Sequence, residues 1–392
     1  MQPRSKMPLD PQAFELLKRT VQNAVLAERQ HQVTRRQLPQ TLGVKLTNRC
    51  NLRCTHCYQW NEDGYHHHMS RSEQSLDLDV AVFERLLVET RPARSRLYLW
   101  GGEPLVHRQI KRILELLALD RRETTICTNA HFISRYLDSL CRISDTLEFL
   151  IAVEGFEAEH DELRGKGSFR KVMSTIDALL ELRRAGRFLG KLSIHTVINE
   201  KMVGRFYDLM EYYEAKGIDL VLLCFPWYIS AETTQEMNGF VRDKFAGMIE
   251  VDGKPHSWDA FKFHLGPDSV APLMADLRKI NERTWRTRIR YQPGLEFDEI
   301  EDFVRGRAMT ARCATVCKVL DNRIDITPDG RVSACKFFAE FNVGSLRQQS
   351  VSEIWRSEAY GRIRDVLGKQ LSPACSKCNV LYLHEHSTAM HI

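Results

Sequence analysis

No stretch of roughly 18 consecutive apolar residues occurs in this 392-residue chain, so no segment reads as a membrane-spanning helix. The first eight residues, Met1 to Pro8, lack the apolar core of a secretory signal, and a cytoplasmic location is expected. Charge is also scarce in blocks. The net charge is only +5, and the lysines and arginines form no dense basic tract or aromatic-interleaved stripe. No nucleic-acid partner is expected from that distribution. Apolar residues make up 43% of the chain, enough for a sizeable core in two or three domains.

What the chain does have is cysteine. Eleven are present, and in a reducing compartment clustered cysteines point to metal rather than to disulfides. Cys127, Cys141 and Cys224 lie in apolar segments and read as buried core residues. Cys50, Cys54 and Cys57 form a CxxxCxxC loop directly after the apolar run Leu42–Thr47. That spacing can turn three thiolates onto three irons of one [4Fe–4S] cluster, leaving the fourth iron open to a small molecule. A structural zinc site is the competing reading, with His56 or the run His66-His67-His68 completing a tetrahedron. The histidine run follows Asn61-Glu62-Asp63-Gly64 and reads as a mobile loop. A second motif, Trp100-Gly101-Gly102-Glu103-Pro104, ends the apolar run Leu97–Trp100. Its glycines let a backbone approach closely, its glutamate accepts hydrogen bonds, and its proline stiffens the turn.

Residues 1–40 read as a tail and one helix, opened by Asp10-Pro11 and striped by Phe14, Leu17, Val21 and Val25. From 41 to 226 strand and helix patterns alternate. Six strands are expected at Leu42–Thr47, Arg96–Trp100, Thr124–Thr128, Leu147–Val153, Lys191–Val197 and Leu220–Phe225. Helices are expected near 78–91, 106–119, 131–143, 168–186 and 201–216. A closed barrel of this kind needs eight strands. Residues 227–310 break the alternation. They are rich in aromatics, including Trp227, Trp258, Phe261 and Trp285, with one helix near 268–284, and read as a bridge either packed as core or lining an entrance.

Residues 311–392 form the last unit. Arg323–Ala334 contains two short alternating runs around Pro328-Asp329-Gly330, a hairpin that brings Cys317 and Cys335 together. Cys375-Ser376-Lys377-Cys378 adds a CxxC knuckle. By ligand count alone, four thiolates suit zinc or [4Fe–4S] equally.

The CxxxCxxC loop and Gly-Gly-Glu-Pro together resemble the radical S-adenosylmethionine (radical SAM) superfamily. The C-terminal pattern, with Val343-Gly344-Ser345-Leu346 and Glu353-Ile354-Trp355, resembles its SPASM/twitch module. The resemblance implies an α/β fold: a partial (β/α)6 TIM-type barrel with an N-terminal helix and a small C-terminal cysteine-rich module. It implies that Cys50, Cys54 and Cys57 hold a [4Fe–4S] cluster whose open iron binds SAM. Electron transfer then cleaves SAM to methionine and a 5′-deoxyadenosyl radical. His56, Gly101, Gly102, Glu103, Pro104, Asn129, Glu154 and Arg164 are the implied SAM contacts. Glu103 closes the motif that receives the SAM amino group, and Arg164, in the family-like stretch His160–Phe169, would hold the SAM carboxylate. Ala130 stands where the family has glycine, and Glu154 where it has aspartate. The cysteine count implies the twitch form, with one auxiliary [4Fe–4S] cluster on Cys317, Cys335, Cys375 and Cys378. Cys313 is spare and is a candidate to replace a ligand or approach substrate.

The implied function is hydrogen abstraction from an unactivated C–H, for crosslinking, thioether formation or dehydrogenation of a natural product, with a ribosomal peptide weakly favoured. No N-terminal leader-binding domain is expected within the chain. The alternatives are a small-molecule (sugar or aminocyclitol) dehydrogenase and a redox-neutral epimerase with Cys313 or Cys224 as hydrogen donor. A non-catalytic zinc scaffold is the remote alternative. An external electron donor such as flavodoxin or ferredoxin is the implied partner.

Overall fold

The computed structural model describes residues 4–5, 37–251, 253, 255–307, 317–378 and 380–381. The expected N-terminal helix and Cys313 lie outside them. Six strands follow the expected order: β1 (Thr41–Thr47), β2 (Arg96–Gly101), β3 (Thr124–Thr128), β4 (Leu147–Ala152), β5 (Lys191–Val197) and β6 (Leu220–Cys224). They pair in sequence and in parallel, each bond row joining a strand to the next in the chain. The crossovers are α1 (Val80–Thr90), α2 (Ile110–Leu119), α3 (Leu137–Arg142), α4 (Glu157–Arg164), α5 (Ser168–Arg184) and α6 (Phe206–Lys216).

Each strand splits its residues between two faces, because side chains alternate along it. Leu42, Val44 and Leu46 are fully buried and share one hydrophobic core with Phe83, Leu86 and Leu87 of α1. The opposite face looks into the barrel. Tyr98, Cys127, His195 and Leu222 on that face keep part of their surface, while their neighbours Leu97, Leu99, Ile126, Ile194, Val221 and Leu223 are buried. The inner face therefore borders a lumen. Cys127 belongs to it rather than to the apolar core that its segment suggested.

The sheet continues past both ends of the expected six. After α7 (Ala231–Lys244) and α8 (Val270–Glu282), strand β7 (Arg288–Gln292) pairs in parallel with β6, placing Gln292 opposite Cys224. The segment read as a bridge thus supplies another strand of the barrel. Its pattern, Arg-Ile-Arg-Tyr-Gln, hides the strand because arginines occupy the inward positions. The aromatics divide: Trp258, Trp285 and Phe261 are core, whereas Phe263 faces His56 with ring centres 5.7 Å apart. A further helix, α9 (Phe297–Val304), follows β7.

At the other edge, β8 (Arg323–Ile326) pairs in parallel with β1. It continues antiparallel into β9 (Arg331–Ser333) and then β10 (Asn342–Ser345). The Pro-Asp-Gly turn is as expected, with Gly330 at φ 85°, a value that favours glycine. Helices α10 (Val351–Trp355) and α11 (Glu358–Leu367) complete the module. The C-terminal unit therefore does not hang from the barrel; its hairpin is an extension of the barrel's own sheet. At the seam, Arg323 and Asp325 form a buried two-point ion pair of 2.7 and 2.6 Å. The described Arg4–Ser5 segment pairs with Thr284–Trp285 outside this sheet.

Candidate active site

The cysteine loop starts at the C-terminal end of β1. Thr47 holds it down through Asp77, whose carboxylate accepts from Thr47 Oγ1 at 2.6 Å and from the Arg49 guanidinium at 2.8 Å. The expected glycines serve this loop. A Cβ on Gly101 would lie 2.5 Å from the Thr47 carbonyl oxygen, and one on Gly102 would lie 2.2 Å from that of Arg49. The close approach that needs glycine is thus between two backbones. Pro104 opens a short 3-10 turn behind them.

Glu103 is buried. Its carboxylate accepts from Thr128 Oγ1 at 2.7 Å, from the Asn129 amide at 2.8 Å and from the Leu105 amide at 3.1 Å. Burial nevertheless pushes its pKa up. Asn129 in turn donates through Nδ2 to Asn51 Oδ1 in the cysteine loop, 2.9 Å away. Ala130, in the place of the family's glycine, takes a positive φ of 63°. Glu103 and Asn129 thus tie the second and third strands to the loop between Cys50 and Cys54.

Glu154, His56 and Arg164 come together. The Arg164 Nε donates to Glu154 Oε1 at 3.0 Å, and the Val197 amide donates to Oε2 at 2.6 Å. His56 Nε2 lies 3.3 Å from the same carboxylate, while its buried Nδ1 has no hydrogen-bond partner among the described residues. Burial alone would raise the Glu154 carboxyl, but Arg164 and His56 hold it well below the usual range. Arg164 also points Nη1 at Cys54 Sγ, 3.7 Å away. The extra methylene of Glu154 lets it reach the arginine expected to be free for a ligand.

The thiols fit the iron–sulfur groups that the motifs imply. Burial pushes Cys50 up to about 12 and Cys54 up to about 11, and neighbouring thiols add to both shifts. Such groups ionise readily only against metal, so cluster assembly there releases protons. Leu52 offers its amide to Cys50 Sγ at 3.4 Å, a bond suited to a ligating sulfur. In the C-terminal module Cys317, Cys335, Cys375 and Cys378 line one apolar cavity with Trp227, Leu320, Phe338 and Leu381. Burial raises all four thiols, and each of Cys317, Cys335 and Cys378 also feels its fellow cysteines. Four soft donors around an apolar void suit an iron–sulfur cluster. Among the described residues, no three His, Cys, Asp or Glu side chains converge tightly enough to hold a single metal ion.

Sequence reasoning missed an inner group. Lys45 projects inward from β1, is 3% exposed, and places Nζ 2.9 Å from both the Tyr65 hydroxyl and His66 Nε2. Within the histidine run His66 is held by this contact, whereas His67 and His68 are exposed. Tyr65–His68 is a 3-10 turn, and His66 is fully buried. Burial, aided by Lys45, keeps His66 neutral. Burial also brings Lys45 down to about 7. The available signal was a lone lysine among Leu42, Val44 and Leu46, on the other alternation. An aromatic seam was missed too: Tyr58 stacks on Phe261 at 4.6 Å, and Trp227 meets Phe261 at 4.3 Å and Phe337 at 4.1 Å. It runs from beside Cys57 to beside Cys335.

Family models match two stretches. That of the radical SAM superfamily covers residues 44–211, and that of the iron–sulfur cluster-binding SPASM domain covers 317–379. Among curated proteins, "Probable GTP 3',8-cyclase" of Methanocella arvoryzae is 29% identical over 46% of this chain and 55% of its own length. "Sporulation killing factor maturation protein SkfB" of Bacillus subtilis is 31% identical over 37% of this chain and 33% of its own. The chain thus spans about half or less of these two relatives. Among solved structures, Streptococcus suis SuiB bound to precursor peptide SuiA superposes with a TM-score of 0.56. That match is 16% identical and covers 92% of this chain and 75% of the other, a likeness of fold.

Proposed function

From a chain that belongs to the radical SAM superfamily and carries a SPASM domain, we infer an enzyme that oxidatively modifies a natural product, with a ribosomal peptide favoured as substrate. One observation carries this reading. The sheet whose first strand leads into the CxxxCxxC loop continues into the hairpin before Cys335, and rings of Tyr58, Phe261, Trp227 and Phe337 run in contact between the loop and the four-thiol cavity. When bound, the core cluster with SAM supplies the hydrogen-abstracting radical, and the auxiliary cluster supplies an electron acceptor. Cys50, Cys54 and Cys57 would hold the first group and Cys317, Cys335, Cys375 and Cys378 the second.

Glu103, Asn129 and His56 would orient SAM beside the first group, with Gly101, Gly102 and Pro104 shaping the loop that they share. Glu154 holds the Nε and Nη2 edge of Arg164, and Arg164 would reach the SAM carboxylate through Nη1. A peptide substrate is supported by the names of SkfB, a maturation protein, and of SuiB, solved with a precursor peptide. The similarity to a GTP cyclase keeps a small-molecule substrate as the second reading. Cys224, buried beside Gln292 at the lumen, is the described candidate donor for an epimerase. A cytoplasmic location and a flavodoxin or ferredoxin as electron donor belong to the same reading. Among the described residues, no helix is long and apolar enough to cross a membrane.

The test is co-expression with short open reading frames adjacent to the gene, followed by mass spectrometry of each peptide. Loss of two hydrogens per modification supports the oxidative peptide reading. Solvent deuterium in a product of unchanged redox state would move the assignment to an epimerase. Modification of a sugar or nucleotide with every peptide unchanged would move it to a small molecule.

A further inference from the structure

A continuous file of hydrogen bonds runs from Glu103 to Glu154 by way of the cysteine loop. The His131 amide donates to Asn129 Oδ1 at 3.1 Å, so Asn129 Nδ2 is the group that faces Asn51 Oδ1, 2.9 Å away. Asn51 therefore turns its own Nδ2 toward His131 Nδ1, 3.2 Å away, and that ring nitrogen must be bare. At the far end the Glu154 amide donates to His160 Nδ1 at 3.2 Å, so that nitrogen is bare as well. Each neutral imidazole then carries its proton on Nε2. Both aim that proton at one hydroxyl, Ser168 Oγ, 3.0 Å from His131 and 3.1 Å from His160. Two backbone donors thus fix the tautomer of both histidines and the orientation of both asparagines. Asn129, His160 and Ser168 are buried, His131 is half-buried, and Asn51 is exposed between Cys50 and Cys54. Water could satisfy an exposed Asn51 equally well. Its bond to His131 therefore serves to fix where the loop sits, not to rescue a buried polar group.

We propose that His131 and Ser168 are positioning residues for SAM: they tie Asn51 of the cysteine loop to the strand end that carries Glu154, and so hold the Glu103 and Arg164 sides of the SAM site at one fixed separation. The inference rests on the SAM contacts assigned above to Glu103 and Arg164. Glu103 is attached to the near end of the file through the Asn129 amide, and Arg164 to the far end through the Glu154 carboxylate. Neither His131 nor Ser168 has to touch SAM. Because both imidazoles converge on one oxygen, removing the Ser168 hydroxyl frees both at once.

The test is SAM affinity, by equilibrium dialysis of anaerobically reconstituted protein whose iron content matches the wild type. His131→Phe and Ser168→Ala are each expected to bind SAM roughly fivefold to tenfold more weakly, the worth of one or two hydrogen bonds. Ser168→Thr keeps the hydroxyl and should keep the affinity. Both losses break the same file, so the double variant should bind no more weakly than the weaker single one; losses that multiply overturn the proposal. A merely structural role would lower the melting midpoint or the iron yield and leave the affinity of the iron-replete protein unchanged, and that result also overturns it. Should His131→Phe fail to fold, Asn51→Ala opens the file at its exposed end and takes its place. Arg164→Lys reports on the contact assignment separately. Weaker binding there, with unchanged affinity in the file variants, overturns the positioning role alone; unchanged affinity in all of them overturns both.

Discussion

Gly43 and Asp325 face each other across the β1–β8 pair so closely that a Cβ on Gly43 would lie 1.8 Å from Asp325 Oδ1. The same Cβ would lie 2.2 Å from the Arg323 guanidinium. The absence of a side chain on the first barrel strand is what lets a buried ion pair join the C-terminal module to the core. Gly43→Ala is therefore expected to destabilise the protein by about 1–3 kcal/mol through overpacking, read from the denaturant midpoint. An unchanged midpoint would mean that the seam has room that the structure does not show.

Glu154 is the hub of a second buried group. Glu154→Gln removes the negative charge that Arg164 and His56 share and leaves the Arg164 guanidinium uncompensated. Breaking a buried pair from one side costs on the order of 3–5 kcal/mol. The apo protein should lose about that much, and reconstitution of the core cluster should weaken because Arg164 also faces Cys54. A variant as stable as the wild type, with full iron, would show that Arg164 finds another anion.

Lys45 makes stability depend on pH. Its pKa is brought down to about 7 by burial, from 10.5. The unfolded chain therefore binds more protons than the folded one between those two values, and stability rises with pH across that window. Below pH 7 the lysine is charged in both states and the burial penalty stands in full. Lys45→Met removes the titrating group. The stability difference, wild type minus variant, should grow by a few kcal/mol between pH 7 and pH 10. Other buried lysines and thiols titrate there as well, so that difference is the quantity to read. A flat difference would place Lys45 in contact with more water than the structure gives it.

The parts legible from sequence were those with a local signature. Strands such as Thr124–Thr128 and Lys191–Val197 were found to the residue because apolar runs ended at turn residues. The cysteine spacing picked out both thiol groups as candidates, and Pro-Asp-Gly placed the hairpin. What escaped was set by partners far away in the chain. Helix Glu157–Arg164 has only Ala158 and Leu163 as apolar residues, and it buries His160 and Leu163. Strand Arg288–Gln292 carries its charges toward the lumen, against the usual rule for a core strand. His66 looked like one of three loop histidines, and its burial is set by Trp60 and by Lys45, on a strand 21 residues earlier. Gly43 carries no signal at all until β8 lies beside it.

The central claim is a division of labour between two thiol groups, and one paired measurement tests it: iron content and 5′-deoxyadenosine formation in reconstituted Cys54→Ala and Cys375→Ala proteins. If each of two four-iron clusters depends on its own thiolates, iron per chain should fall by about half in either variant. Cys54→Ala should form no 5′-deoxyadenosine, whereas Cys375→Ala should retain some cleavage of SAM while losing product. Circular dichroism must accompany both, because cluster binding and folding are coupled. Undiminished 5′-deoxyadenosine from folded Cys54→Ala, or full iron and full product from Cys375→Ala, would contradict the account.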